Sequence, residues 1–156
     1  MSGLEIHPDD LKGTQIEALL QAHLDLMHST SPPESTHALD LEELRQADIT
    51  FWSAHSDGIL VGCVALKTIN TTEGEIKSMH VASNQRGRGI AEALLRHLER
   101  SAVQMGLKRL SLETGSTDAF SAAHRLYSRF SYQECPPFGD YGPDPHSLFM
   151  TKELTC

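Results

Sequence analysis

Arg86-Gly87-Arg88-Gly89-Ile90-Ala91 decides how this chain is read. An extended segment, Glu75 to Val81, precedes it, and a long amphipathic helix begins at its end. A strand, a glycine-rich loop and a helix start, in that order, build a cradle for phosphate. The first amides of a helix have no partner within it, and the helix dipole adds partial positive charge there. Glycines let a bulky diphosphate approach the backbone closely. Two common loops fail to match. A P-loop requires Gly-Lys-Ser/Thr, which the chain lacks. A dinucleotide fingerprint counted from Gly87 requires a Gly or Ala where Glu92 stands, and a carboxylate there would repel a diphosphate. That fingerprint also opens its domain, whereas this loop follows the middle strands.

Downstream of the loop, Ile90, Ala91, Leu94, Leu95, Leu98, Ala102 and Met105 form one apolar stripe, and Gly106 ends the helix. Leu107 to Glu113 alternates as a strand. Ala119 to Phe130 reads as a second amphipathic helix, Tyr132 to Phe138 as a strand, Phe138 to Pro145 as a loop, and Ser147 to Thr151 as the closing strand. Upstream, Leu4 to Ile6 reads as an edge strand, and Asp9 or Asp10 as the cap of a helix from Leu11 to Met27. The prolines and hydroxyls from Ser29 to Thr36 exclude regular helix, and a short helix fits Leu39 to Ala47. Ile49 to Ala54 and Ile59 to Leu66 read as strands joined by an Asp57-Gly58 hairpin turn, with the second buried on both faces. Thr71 to Gly74 reads as a further turn. Early hairpins followed by β–helix–β alternation predict one α/β domain across residues 1–156, a mixed sheet with helices on its faces.

The 156 residues are enough for one substantial core, and 39% hydrophobic with 22% charged residues is ordinary for a globular protein. A net charge of −8 argues against a general nucleic-acid binder, whose affinity comes from neutralising phosphates. No apolar run reaches the roughly 20 residues of a membrane span, and Met1 to Asp10 lacks the basic and apolar regions of a signal peptide. The expectation is a cytoplasmic protein with no membrane partner. Cys63, Cys135 and Cys156 are far apart and show no metal-ligand spacing, so reduced thiols and no metal are expected, with Cys63 in the core.

Arg86, Gly89 and Ala91 fit the Gln/Arg-x-x-Gly-x-Gly/Ala loop with which the GNAT N-acetyltransferases bind acetyl-CoA, and the chain resembles that family well beyond the loop. Glu75 to Val81 is similar to the family's fourth strand, and Ala123 to Tyr132 to its A-x-x-L-Y-x-x-x-G-F signature. Ser31-Pro32-Pro33-Glu34-Ser35, Phe138-Gly139-Asp140-Tyr141 and Phe149-Met150-Thr151-Lys152 resemble a small bacterial YsnE-like subgroup. Two positions depart from the pattern. Ser131 stands where the family has Gly, which puts the local turn in question. Phe120 stands where Asn is frequent, which puts one cofactor contact in question.

The resemblance implies the GNAT fold: a mixed, mostly antiparallel sheet of about six to seven strands flanked by about four helices and splayed at the fourth strand. It implies transfer of the acetyl group of acetyl-CoA directly to a primary amine of a small molecule or amino acid. A peptide acceptor, or a non-catalytic acyl-CoA sensor, are the alternatives, and relatives are often homodimers. Met79 and Val81 would pair with the pantetheine arm. The amide of Met79 or His80 would support the carbonyl oxygen. Amides from Arg86 through Gly87, Arg88, Gly89, Ile90 and Ala91 would hold the pyrophosphate. Strict alternation puts Glu75, Lys77, Met79 and Val81 on one face, and Ile76, Ser78 and His80 on the other. A β-bulge near Met79 would break that pattern. Tyr127 is the expected general acid, with a core aromatic as its alternative role. Glu75 is the expected base and His80 its rival, since an imidazole titrates near neutrality. The acceptor is expected between His28–His37 and Phe138–Tyr141, with Glu34 and Asp140 able to receive a cationic amine.

Overall fold

The computed structural model describes residues 3–30 and 41–154. Among these, seven strands form one sheet in the order β1-β2-β3-β4-β5-β7-β6. They are β1 (Leu4–Pro8), β2 (Ile49–Ser56), β3 (Ile59–Thr68), β4 (Glu73–Val81), β5 (Arg109–Gly115), β6 (Gln133–Glu134) and β7 (Ser147–Glu153). Four α-helices accompany them: α1 (Thr14–Thr30), α2 (Leu41–Leu44), α3 (Ile90–Gln104) and α4 (Ser121–Arg129). β4 and β5 run parallel, and every other neighbouring pair is antiparallel.

The sheet carries a core on each face. On one, Trp52, Val64, Leu66 and Ile76 pack with Leu94, Leu95 and Leu98 of α3 and Leu126 of α4. On the other, Phe51, Cys63 and Ala65 pack with Ile16, Leu19 and Leu20 of α1 and Leu44 of α2. The three α3 leucines are fully buried, each worth roughly 2 kcal/mol of apolar transfer. Cys63 is buried here too, and burial pushes its thiol well above the usual range. It is an inert core residue.

Local chemistry sets the ends. Both long C-terminal helices close in the same way. Gly106 (φ 87°) follows α3, with the Leu107 amide donating to Ala102 O and the Gly106 amide to Val103 O. After α4, Ser131 takes φ 74°, the Tyr132 amide donates to Tyr127 O and the Ser131 amide to Ser128 O. That is the reciprocal pair of bonds of a left-handed helix stop. Ser131 therefore keeps the turn in a conformation that usually belongs to glycine.

Several expected boundaries move. α1 starts at Thr14, because the Asp9 and Asp10 carboxylates accept from the amides of Leu11 and Lys12 in tight turns, and Leu11 takes φ 64°. Gly74 belongs to β4, where a Cβ would lie 2.8 Å from Leu66 Cδ1; close packing selects this glycine, while Asn70 makes the turn. The strand expected to run to Phe138 ends at Glu134, since Pro136 and Pro137 have no amide to donate. The first residues of the expected second helix, Ala119 and Phe120, belong to a 3₁₀ turn, Asp118–Phe120. The short helix expected from Leu39 is one turn from Leu41, and residues 39 and 40 lie outside the described residues.

Candidate active site

β4 and β5 pair only from Glu73↔Arg109 to Ile76↔Leu112. Just beyond, Ser78 adopts φ 55°, and the β3–β4 register slips between Cys63 and Ala65. This is a β-bulge, which bends its strand and raises its twist. β4 and β5 diverge from that point and a cleft of about 500 Å³ opens between them. Lys77 to Val81 form one wall and Leu112 to Gly115 another. α1 contributes His23, Leu26, Met27 and Thr30; α3 and α4 contribute Ile90, Ala91, Leu126 and Tyr127. Since α1 and α3 cover opposite faces, the cleft runs through the sheet.

The bulge also changes which side chains share a face. Before it, Ile76 faces α3, and Glu75 and Lys77 lie on the opposite side against Tyr141; after it, Met79 and Val81 pack on the α3 core, while His80 pairs with Cys63 and meets α1. Strict alternation had grouped Glu75 and Lys77 with Met79 and Val81. The extra residue corrects this and puts Glu75, Lys77 and His80 on one side.

The glycine loop stands at the α3 end of the cleft. Gly87 (φ 80°) and Gly89 (φ 77°) take backbone conformations that side chains resist. The first helical bond runs from the Ala93 amide to Gly89 O, so the amides of Ile90, Ala91 and Glu92 precede the ladder. No side chain caps this helix start. Arg86, Gly87, Gly89, Ile90 and Ala91 line the cleft together with Gln85. Arg88 turns aside to hydrogen-bond the Gln85 side chain.

Tyr127 reaches the same cleft from α4. It is 5% exposed, its ring meets Tyr132 edge-on, and burial pushes its phenol well above the usual value. It is therefore protonated at neutral pH. Opposite, His80 Nδ1 lies 3.1 Å from His23 Nδ1 of α1. Burial is the main reason both are pulled down to about 4; the second cause is Arg86 for His80, and His80 itself for His23. Both rings are neutral at pH 7. His23 was not expected from the sequence, although it continues the apolar phase of Ile16, Leu19 and Leu20 along α1.

Glu75 is 5% exposed and lies behind the cleft wall. Its Oε2 accepts from the Tyr141 hydroxyl at 2.6 Å and from Lys77 Nζ at 3.1 Å, and Lys77 also donates to the Tyr141 oxygen at 2.9 Å. Burial, then the Glu75 carboxylate, pushes the Tyr141 phenol far up. Tyr141 packs with Phe138 and Phe149, which fixes the late loop against the sheet. Of the expected acceptor residues, Asp140 is exposed, and Glu34 lies outside the described residues.

Residues 16–132 match the family model described as Acetyltransferase (GNAT) family. The chain belongs to the GNAT acetyltransferase family. It is 50% identical to the uncharacterized N-acetyltransferase YsnE of Bacillus subtilis (strain 168), over 97% of this chain and 100% of that protein. A crystal structure described as an acyl-CoA N-acyltransferase from Klebsiella pneumoniae shares 31% identity and a TM-score of 0.79, covering 97% of this chain and 98% of that one. A GNAT acetyltransferase from Elizabethkingia anophelis, solved with acetyl-CoA bound, shares the fold at a TM-score of 0.71 and 20% identity, over 99% of this chain and 100% of that one.

GNAT enzymes take acetyl-CoA as acyl donor, and this cleft suits it. The uncapped start of α3 and two left-handed glycines provide free amides for a diphosphate, and the gap between β4 and β5 provides a slot for an extended arm. Where Asn is frequent in the family, Phe120 lays its ring over Gly115; a Cβ there would come within 2.0 Å of Phe120 Cε2. Phe120 makes this part of the cleft wall apolar. Among the described residues, no group of three or more His, Cys, Asp or Glu side chains is placed to hold a metal ion. None of their helices is long and apolar enough to cross a membrane.

Proposed function

We propose that this GNAT enzyme moves the acetyl group of acetyl-CoA directly to a primary amine of a small molecule or amino acid. The observation that carries this reading is the cleft through the sheet, with the glycine loop at one end and His23, Leu26, Met27 and Thr30 at the other. A volume of about 500 Å³, shared with the pantetheine arm, suits a small acceptor better than a folded protein.

Bound acetyl-CoA supplies a thioester carbonyl as the acyl source. The amides from Arg86 to Ala91 hold its diphosphate, and the edges of Met79 and Val81 hold its arm. The amide of Met79 or His80 supports the carbonyl oxygen as charge develops on it. Tyr127, kept protonated by burial, gives its proton to the departing thiolate. The amine must lose a proton as it attacks. His80 stands on the cleft wall with a free-base ring and is the better placed acceptor of that proton. Glu75, the other candidate, is occupied by Lys77 and Tyr141, and its role here is to shape the acceptor end.

Thiol release from acetyl-CoA, measured across small amines, amino acids and short peptides, tests the reading. Release with small amines or amino acids is expected. Release with peptides alone would overturn the acceptor class, and tight acetyl-CoA binding with no release on any acceptor would make the protein a sensor.

A further inference from the structure

We propose that His23 is a positioning residue for acetyl transfer, setting the His80 ring so that His80 Nε2 offers a lone pair to the acceptor amine. This rests on reading His80 as the base. The two rings approach Nδ1 to Nδ1 at 3.1 Å, edge-on, with 4.9 Å between centroids. A hydrogen bond between two ring nitrogens needs one N–H and one lone pair, so only one of the facing nitrogens carries a proton. When His80 donates from Nδ1, its Nε2 is unprotonated and His23 Nδ1 accepts. The reverse arrangement would put the proton on His80 Nε2 and leave nothing to take a proton from the amine.

His23 is the polar residue on an otherwise apolar stretch of α1 and also lines the cleft. It sits among Ile16, Leu19 and Leu20 on the buried stripe of α1, where an apolar residue would pack without cost. His80 is equally enclosed, facing Cys63 of β3 across the sheet. Among the described residues, Arg86, on the loop beside His80, is a charge that acts on its ring, and the Glu75–Lys77 pair lies on the same side of β4.

Proton movement balances along this path. As the new N–C bond forms and the C–S bond breaks, the amine proton passes to His80 Nε2. The positive charge then on His80 is shared with His23 through the Nδ1–H···Nδ1 bond. The proton returns to solvent after product leaves, and Tyr127 regains the one it gave to the thiolate.

Two substitutions separate chemistry from packing. His23→Leu keeps the volume and removes the acceptor atom; His23→Asn keeps an acceptor oxygen where Nδ1 stood. The expected result is a fall in kcat of about 10- to 100-fold for His23→Leu, the size of one hydrogen bond to a charged group, with acetyl-CoA affinity unchanged. His23→Asn is expected to recover most of it. If Leu retains full kcat, or Asn fails to recover more activity than Leu, His23 is a packing residue. Nitrogen chemical shifts of 15N-histidine-labelled protein give a readout without turnover: the expected protonated nitrogen of His80 is Nδ1, and a proton on Nε2 overturns the proposal. His80→Ala isolates the underlying reading. Full activity in that variant would remove His80 as base; loss there with no effect at His23 would overturn the His23 role alone.

Discussion

Acidification should unfold this protein through the His23–His80 pair, and the size of the effect follows from burial. Both rings titrate near 4 in the folded chain, against about 6.5 when unfolded. Between these values the unfolded chain binds protons that the folded chain refuses, so stability is intact above about pH 6.5 and is lost as pH falls towards 4. From pH 7.5 to pH 4.5 one such histidine removes roughly 2–3 kcal/mol, and the pair about twice that. Repulsion from His80 is already part of the lowering at His23. Domain stabilities lie at about 5–15 kcal/mol, so the pair alone takes a large share. Carboxylates titrate in the same range, which makes a difference of differences the proper measurement. Urea unfolding of wild type and His23→Leu at both pH values, followed by the fluorescence of the sole tryptophan, Trp52, provides it. Trp52 is 4% exposed and reports loss of the α3-side core. Wild type should lose roughly 2–3 kcal/mol more than the variant over this interval. Equal losses would show that His23 is not held neutral by the fold.

Three further outcomes test the site and the scaffold. Tyr127→Phe should keep the packing against Tyr132 and acetyl-CoA affinity while lowering kcat about 100-fold or more; unchanged kcat at saturating substrate would remove the acid role. The acid limb of kcat/KM against pH should fall near 4 instead of 6.5, because activity requires neutral His80 and burial pulls that ring down to about 4; a limb at 6.5 would exclude it as the base. Gly89→Glu should abolish acetyl-CoA binding measured by calorimetry, since it places a carboxylate at the diphosphate and a side chain at φ 77°; normal binding by a folded variant would refute the cradle.

What could be read from the sequence was what local backbone chemistry dictates. The glycine loop, the helix stop at Gly106 and the Leu126-Tyr127 signature each depend on residues close in the chain, and each lies where it was expected. Even Ser131, a departure from the family pattern, obeys the same rule by taking the left-handed turn itself. What escaped was set by contacts between distant elements. His23 and His80 are 57 positions apart, and neither carries a local mark of the other. Glu75 reads as the expected base, and nothing near it in the chain marks Tyr141, 66 positions later, as the hydroxyl that hydrogen-bonds it.

The face of β4 connects the two kinds of information: strict alternation misgroups it, and the bulge expected near Met79 sets it right. Alternation is reliable only while each residue advances the pleat by one step. Ser78, at φ 55°, inserts a step that has no counterpart on β3. Every side chain after it changes sides, so His80 joins Glu75 and Lys77 while Met79 and Val81 turn to the α3 core. The same insertion bends β4 away from β5 and opens the cleft. A regular strand would have kept its period legible and its neighbour paired, leaving no slot for the donor. The break in periodicity is therefore itself the mark of the site.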